Sequence, residues 1–198
     1  MSFRKEKKFR VNWYSWTSLS KNLFADGMKT LHDQRVISSI YFDNSNNQMF
    51  FDSEEGLLPR KKVRLRWYNK EKKIIKETKT SSLEGRYKTS HVLNKSYKKD
   101  EIFNLSFVDH QYGIIKPVLL VSYTRSYFIL KNFRLTFDQK ISYIKPKNQS
   151  RTIFYDPEYV VEIKTPFYYG DDYIADMLGN PTERFSKYCR GILFHKRF

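Results

Sequence analysis

A chain of 198 residues with a formal charge of +16 is long enough for one domain with a real core, and the charge implies an anionic partner: nucleic acid, a phosphate-rich molecule or an acidic membrane surface. The hydrophobic share of 40% draws on 16 Phe and 15 Tyr, so the core is aromatic. A single cysteine, Cys189, excludes a disulfide framework or a cysteine-rich zinc site, and the four histidines have no ligand-like spacing.

The basic start, Met1 to Lys8, is not followed by the apolar core of a signal peptide, and no apolar run approaches the roughly 18 residues that span a bilayer. A soluble, cytoplasmic protein is expected. The first predicted strand, Arg4 to Val11, puts Arg4, Glu6, Lys8 and Arg10 on one face and Lys7, Phe9 and Val11 on the other. Leu19, Leu23, Phe24, Met28 and Leu31 then recur at helical spacing, which predicts a helix from Thr17 to about Leu31 capped by Thr17 or Ser18. Val36 to Asp43 reads as a strand ended by Asn44-Ser45-Asn46-Asn47, and a short helical or irregular piece passes through Asp52 and Gly56.

Lys61 to Tyr68 alternates strictly, with Lys62, Arg64, Arg66 and Tyr68 against Val63, Leu65 and Trp67. Arg64 and Arg66 on one strand face sit roughly 7 Å apart, which at an effective dielectric of about 20 costs on the order of 2 kcal/mol. An anion offsets that cost. Further strands are predicted at Lys72 to Thr80, carrying Glu77 and Lys79, and at Gly85 to Val92, carrying Arg86 and Lys88. Tyr97 to Phe107 lacks a clean period and reads as a weak helix and connection.

Pro117 opens an extended segment, Val118 to Leu130, with Val121, Tyr123, Arg125 and Tyr127 on one face. After a turn at Lys131-Asn132, Phe133 to Ile144 alternates Arg134, Thr136 and Asp138 with Leu135 and Phe137, which makes a hairpin. Lys145 to Pro157 reads as a loop, and Tyr159 to Thr165 as a strand with Glu162 and Lys164 opposite Val161 and Ile163. Asn180-Pro181-Thr182-Glu183 predicts a helix from Pro181 to about Arg190, ending near Gly191. Seven or eight mostly consecutive, antiparallel strands with three helices make an α+β domain built on a β-barrel.

Three strands carry an acid two residues before a lysine: Glu6/Lys8, Glu77/Lys79 and Glu162/Lys164. Any one such pair is also what an ordinary solvated strand presents. Helices packed on the apolar faces would turn the charged faces inward, into a basic barrel that binds polyanions and whose few carboxylates hold a divalent cation. Asp138 is open between pairing with a cation and binding metal. A nucleic-acid module is permitted by charge and aromatics, but the interleaved carboxylates argue against it.

Glu6-Lys7-Lys8-Phe9, Ser39-Ile40-Tyr41-Phe42-Asp43, Lys62-Val63-Arg64-Leu65-Arg66, Glu77-Thr78-Lys79, Ser122-Tyr123-Thr124-Arg125, Arg134-Leu135-Thr136-Phe137-Asp138, Glu162-Ile163-Lys164 and Ser186-Lys187-Tyr188 occur in the order of the VTC polyphosphate polymerase domain, a CYTH-like member of the triphosphate tunnel metalloenzymes. From about residue 4 to 193 the chain resembles that family. The resemblance implies one domain over 1–198, an antiparallel β-barrel tunnel with flanking helices. It implies Lys8, Arg64, Arg66, Lys79, Lys88, Arg125, Arg134 and Lys187 as phosphate ligands assisted by Ser186. Glu162 would be the main ligand for Mn²⁺ or Mg²⁺, and Glu6 and Glu77 weaker ones or groups that orient the lysines.

Lys8, Arg64, Arg66, Lys187 and Glu162 would form the catalytic set. The implied reaction moves the γ-phosphate of ATP onto inorganic polyphosphate and leaves ADP, by positioning and charge stabilisation. The alternatives are a tunnel-fold triphosphatase or polyphosphatase and a non-catalytic polyphosphate-binding subunit. Arg4 stands where tunnel hydrolases carry the first glutamate of Glu-x-Glu-x-Lys, which favours the polymerase. The implied partners are ATP and polyphosphate rather than nucleic acid. Export of the product would need a separate membrane partner.

Overall fold

The computed structural model describes residues 4–69, 71–93, 97, 99–146, 153–166, 168–179, 183 and 185–196. In chain order its elements are β1 (Arg4–Val11), α1 (Trp13–Ala25), β2 (Lys29–Asp43), α2 (Gln48–Glu55), β3 (Arg60–Tyr68), β4 (Ile75–Ser82), β5 (Gly85–Val92), α3 (Lys99–Ile102), β6 (Phe107–Asp109), β7 (Gly113–Leu130), β8 (Phe133–Ile144), β9 (Ile153–Tyr155), β10 (Tyr159–Pro166), α4 (Asp171–Leu178) and α5 (Lys187–Lys196). The registered strand pairs are antiparallel. Among the described residues no helix is long and apolar enough to cross a membrane.

The strands β1, β5 and β8 begin and end where alternation places them, and β10 runs one residue further. The first helix does not. Asn12 caps it, accepting from the Ser15 amide at 2.8 Å, and it stops at Ala25 because Gly27 turns the chain at φ +94°. Met28 and Leu31 continue the apolar spacing only by coincidence, since β2 already begins at Lys29.

The last helix is a second correction. Glu183, Phe185 and Ser186 are not helical, and α5 starts at Lys187 and runs straight through Gly191. A Cβ at Gly191 would lie 2.5 Å from side-chain atoms of both Leu119 and Tyr143, so this glycine serves a close approach and not a helix stop. Asn180, Pro181 and Thr182 of the expected cap lie outside the described residues. The helix α4 and the short strands β6 and β9 carry no periodic pattern long enough to mark them in the sequence.

Contacts group the chain into two compact units. The first comprises Met1–Val36, Tyr123–Ile141 and Tyr155–Phe185, with strand order β1-β10-β8-β7-β2. Phe9, Val11, Leu135, Phe137, Val161 and Ile163 bury one face of its strands with Trp16 and Leu23 of α1 and Ile174 and Leu178 of α4. Trp16 stacks on Phe137 with ring centroids 4.0 Å apart. Each such side chain stabilises the fold by about 1.5–3 kcal/mol on burial, which fixes which strand face meets the helices. Glu6, Lys8, Glu162, Lys164, Arg134, Thr136 and Asp138 are left on the other face.

The second unit comprises Ile37–Ser122, Ser142–Phe154 and Ser186–Phe198, with order β7-β2-β3-β4-β5 and β6 paired to β7. Ile40, Phe42, Val63 and Leu65 pack with Met49 of α2 and Ile102 of α3. The opposite face carries Tyr41, Arg64, Arg66, Glu77 and Lys79, and α5 covers part of it, with Tyr188 stacked on Tyr41 at 5.0 Å between centroids.

Candidate functional site

In the second unit, register creates the charge pattern. Arg64 lies opposite Glu77, while Lys62 lies opposite Lys79, which in turn lies opposite Lys88. Like charges directly across strands repel, so this row of three lysines favours an anion. Lys62 Nζ donates to Ser186 Oγ at 3.0 Å, just before α5 begins.

The arginines are held from behind. Arg64 donates through Nε to Glu77 Oε2 at 2.7 Å and through Nη1 to the Tyr41 hydroxyl at 2.9 Å, and its Nη2 lies 2.6 Å from the same carboxylate oxygen. Arg66 donates to Ser39 Oγ at 3.1 Å and lies 3.6 Å from Glu77. Lys88 pairs with the other oxygen of Glu77. Burial pushes the Glu77 carboxyl up, but Arg64, Arg66 and Lys88 together hold it at about 2. Glu77 is therefore a permanent anion that orients cations.

Tyr41 is buried at 7% exposure beside the same arginines. Burial raises its phenol, yet Arg64, Arg66 and Lys187 bring it down to about 8. Tyr188, its stacking partner, donates its hydroxyl to Asp43, which also accepts the Met49 and Phe50 amides at 3.0 Å each. One buried carboxylate thus joins the start of α2 to the first turn of α5.

The first unit arranges its charges differently. Glu6 faces Lys164 and Lys8 faces Glu162 across β1 and β10. Along the strands Lys8 lies 3.4 Å from Glu6, and Lys164 lies 3.1 Å from Glu162. The result across β1 and β10 is a checkerboard in which each charge faces its opposite. Arg125 forks onto Asp138 at 2.5 and 2.7 Å and reaches Glu162 at 3.8 Å, so Asp138 pairs with a cation. Burial lowers the Arg125 guanidinium, and Asp138 more than restores it, well above its ordinary value. On β8, Arg134 is exposed opposite Lys164, and Thr136 stands opposite Glu162 with a buried Oγ1 that has no hydrogen-bond partner.

The expected residues thus fall in two sets: Arg64, Arg66, Lys79, Lys88, Ser186 and Lys187 in the second unit, and Lys8, Arg125, Arg134 and Glu162 in the first. Sequence reading passed over Lys62 as a ligand, although it shares the parity of Arg64, and over Tyr41, which sits in an apolar-looking strand. The Arg4 side chain lies outside the described residues.

Among the described residues no three or more His, Cys, Asp or Glu gather as a metal cluster. Glu162 and Glu6, linked through Lys164 Nζ at 3.1 and 3.8 Å, and the unpartnered Thr136 hydroxyl opposite Glu162 put oxygen donors on one face of three adjacent strands. Hard oxygen donors of this kind fit Mg²⁺ or Mn²⁺ and not a soft metal.

A family model described as the VTC domain matches residues 3–196. A search of curated proteins returns no match to the chain. Among solved structures, a candidate adenylate cyclase from Bacillus halodurans superposes with a TM-score of 0.59 at 14% identity, over 93% of this chain and 94% of that one. The protein PH1819 from Pyrococcus horikoshii gives 0.57 at 16% identity, over 98% and 100%. A candidate adenylyl cyclase from Hippeastrum, whose dominant activity is that of a triphosphatase, gives 0.56 at 13% identity, over 97% and 96%. At these identities the likeness is one of fold.

Proposed function

The chain belongs to the VTC domain family and has the triphosphate tunnel fold of its structural neighbours, and from that premise we propose that residues 1–198 act as a metal-dependent polyphosphate polymerase. The substrate donor is ATP and the acceptor is an inorganic polyphosphate chain. The observation that carries this reading is the row Lys62, Lys79, Lys88 beside two arginines anchored on buried Glu77. Such an array is costly without a bound polyanion and suited to one with several phosphates.

A terminal phosphate oxygen of the chain attacks the γ-phosphorus of ATP in line, one O–P bond forms, and the bond to the ADP oxygen breaks. The loose transition state needs charge stabilisation more than a protein nucleophile. Arg64 and Arg66 offer planar forks already fixed by Glu77, Tyr41 and Ser39, so little ordering remains when phosphate binds. In the second unit Lys79, Lys88, Ser186 and Lys187 complete the phosphate ligands of this reading; in the first unit, taken by itself, Lys8, Arg125 and Arg134 are its phosphate ligands. Glu162, with Glu6, would hold Mn²⁺ or Mg²⁺. A bound divalent ion neutralises charge on the transferring phosphate oxygens. The reading includes a cytoplasmic location, with export of product left to a separate membrane partner.

Purified protein given ATP and Mn²⁺ is expected to make long polyphosphate, visible on a gel, and to release ADP, and Glu162→Gln to abolish turnover while keeping polyphosphate binding. Orthophosphate without polymer would establish the triphosphatase reading, which the activity of the Hippeastrum protein favours. Absence of ATP turnover would leave a polyphosphate-binding subunit.

A further inference from the structure

In the first unit one ammonium holds two acids. Lys164 Nζ lies 3.1 Å from Glu162 Oε1 along its own strand and 3.8 Å from Glu6 Oε2 across β1. The Lys164 side chain is 42% exposed, against 10% for Glu162 and 22% for Glu6. The acids are thus set into the sheet and the cation reaches them from the solvent side. On its other flank Lys164 meets Arg134, a like charge. Glu162 has the unpartnered Thr136 hydroxyl as its cross-strand neighbour. Oxygen donors from β1, β10 and β8 therefore share one face, and Lys164 is the cation common to both acids, with Lys8 also 3.4 Å from Glu6 and Arg125 also 3.8 Å from Glu162.

We propose that Lys164 is the resident counter-ion of the Glu6–Glu162 pair, that its ammonium and a divalent cation compete for these two acids, and that metal loading releases the ammonium to an anion. The inference rests on the reading of Glu162 as a metal ligand. Half-exposed ion pairs are weak, and an ion of twice the charge that takes several oxygens at once displaces them. The displaced ammonium then stands beside Arg134 without its acids, where two like charges favour a phosphate. Metal and phosphate loading become linked: each strengthens the other through one side chain.

The test is a Mn²⁺ titration of the full chain without nucleotide, with free Mn²⁺ read by electron paramagnetic resonance. Lys164→Met should bind Mn²⁺ roughly two- to fivefold more tightly than the unmodified protein, and Lys164→Arg, which keeps the charge, about equally. Sulfate, a tetrahedral anion that complexes Mn²⁺ weakly, should strengthen binding to the unmodified protein more than to Lys164→Met. Equal or weaker Mn²⁺ binding by Lys164→Met, at an unchanged melting temperature, overturns the proposal; Lys164→Gln takes its place if the methionine variant melts early. Glu162→Gln separates the two levels. If it loses Mn²⁺ while Lys164→Met gains none, only the role of Lys164 falls; if it binds Mn²⁺ normally, the metal reading falls and this inference with it.

Discussion

Glu77-Thr78-Lys79 on β4 and Glu162-Ile163-Lys164 on β10 are the same pattern in sequence, and the two units put them to opposite use. On β4 the acid faces Arg64 and the lysine lies between Lys62 and Lys88, so positive charge accumulates along the row. On β10 the acid faces Lys8 and the lysine faces Glu6, so charge cancels at each step. Register across the strands, and not the composition of a strand, decides whether a charged sheet face attracts an anion or a cation. The anchoring acid also differs: the Glu77 side chain is 6% exposed beneath its cations, whereas that of Glu6, at the rim of its checkerboard, is 22% exposed.

The largest expected effect breaks that contrast at its anchors. Glu77→Gln should destabilise the protein by about 3 kcal/mol in urea denaturation, because it leaves buried Arg66 and half-buried Arg64 uncompensated, whereas Glu6→Gln should cost less than about 1 kcal/mol. Pyrophosphate should restore part of the loss in the first variant. Equal losses in the two would mean that the units do not differ as described.

Next in size is polyphosphate affinity at fixed ionic strength. Arg64→Ala removes a preorganised fork and should weaken binding about tenfold or more, in line with a charge-assisted hydrogen bond. Arg134→Ala, on the balanced face and exposed, should weaken it only a few-fold. A reversed order would shift the main phosphate contact to the first unit.

The smallest effect sharpens the comparison through pH. The Tyr41 phenol titrates at about 8, so it is neutral below that pH and a phenolate above it. A phenolate beside Arg64 and Arg66 competes with phosphate, and polyphosphate affinity should fall as pH rises through about 8. Tyr41→Phe should flatten that limb in a binding titration from pH 6.5 to 9. Stability moves the other way: the folded phenol titrates below its ordinary value of 10.0, so stability is gained as pH rises through about 8. The same titration followed by melting temperature distinguishes loss of ligand from loss of fold.

Much of this was legible in the sequence, because alternation reports which residues share a strand face. Phe133 to Ile144 shows apolar and polar parity along its length, and β8 has those bounds. Parity also put Lys8, Arg64, Arg66, Lys79, Lys88, Arg125, Arg134 and Glu162 on charged faces. Which strand lies beside which is a long-range property, so the lysine row and the checkerboard could not be read from it. Tyr41 lies between Ile40 and Phe42 and reads as core, since nothing local reveals where a phenol oxygen points. The end of α1 was hidden because Met28, buried in the core at 3% exposure, keeps the helical spacing after the backbone has left the helix.

Gly191 lies one helical turn beyond Lys187, wedged where Leu119 and Tyr143 leave no room for a methyl group. That fit works as a detent. The helix can seat at one depth only, because sliding or rolling it would bring a bulkier neighbour into the notch. The reach of Lys187 and Ser186 is therefore indexed by an atom that is missing, so the placement of two proposed phosphate ligands depends on a residue that carries no charge of its own.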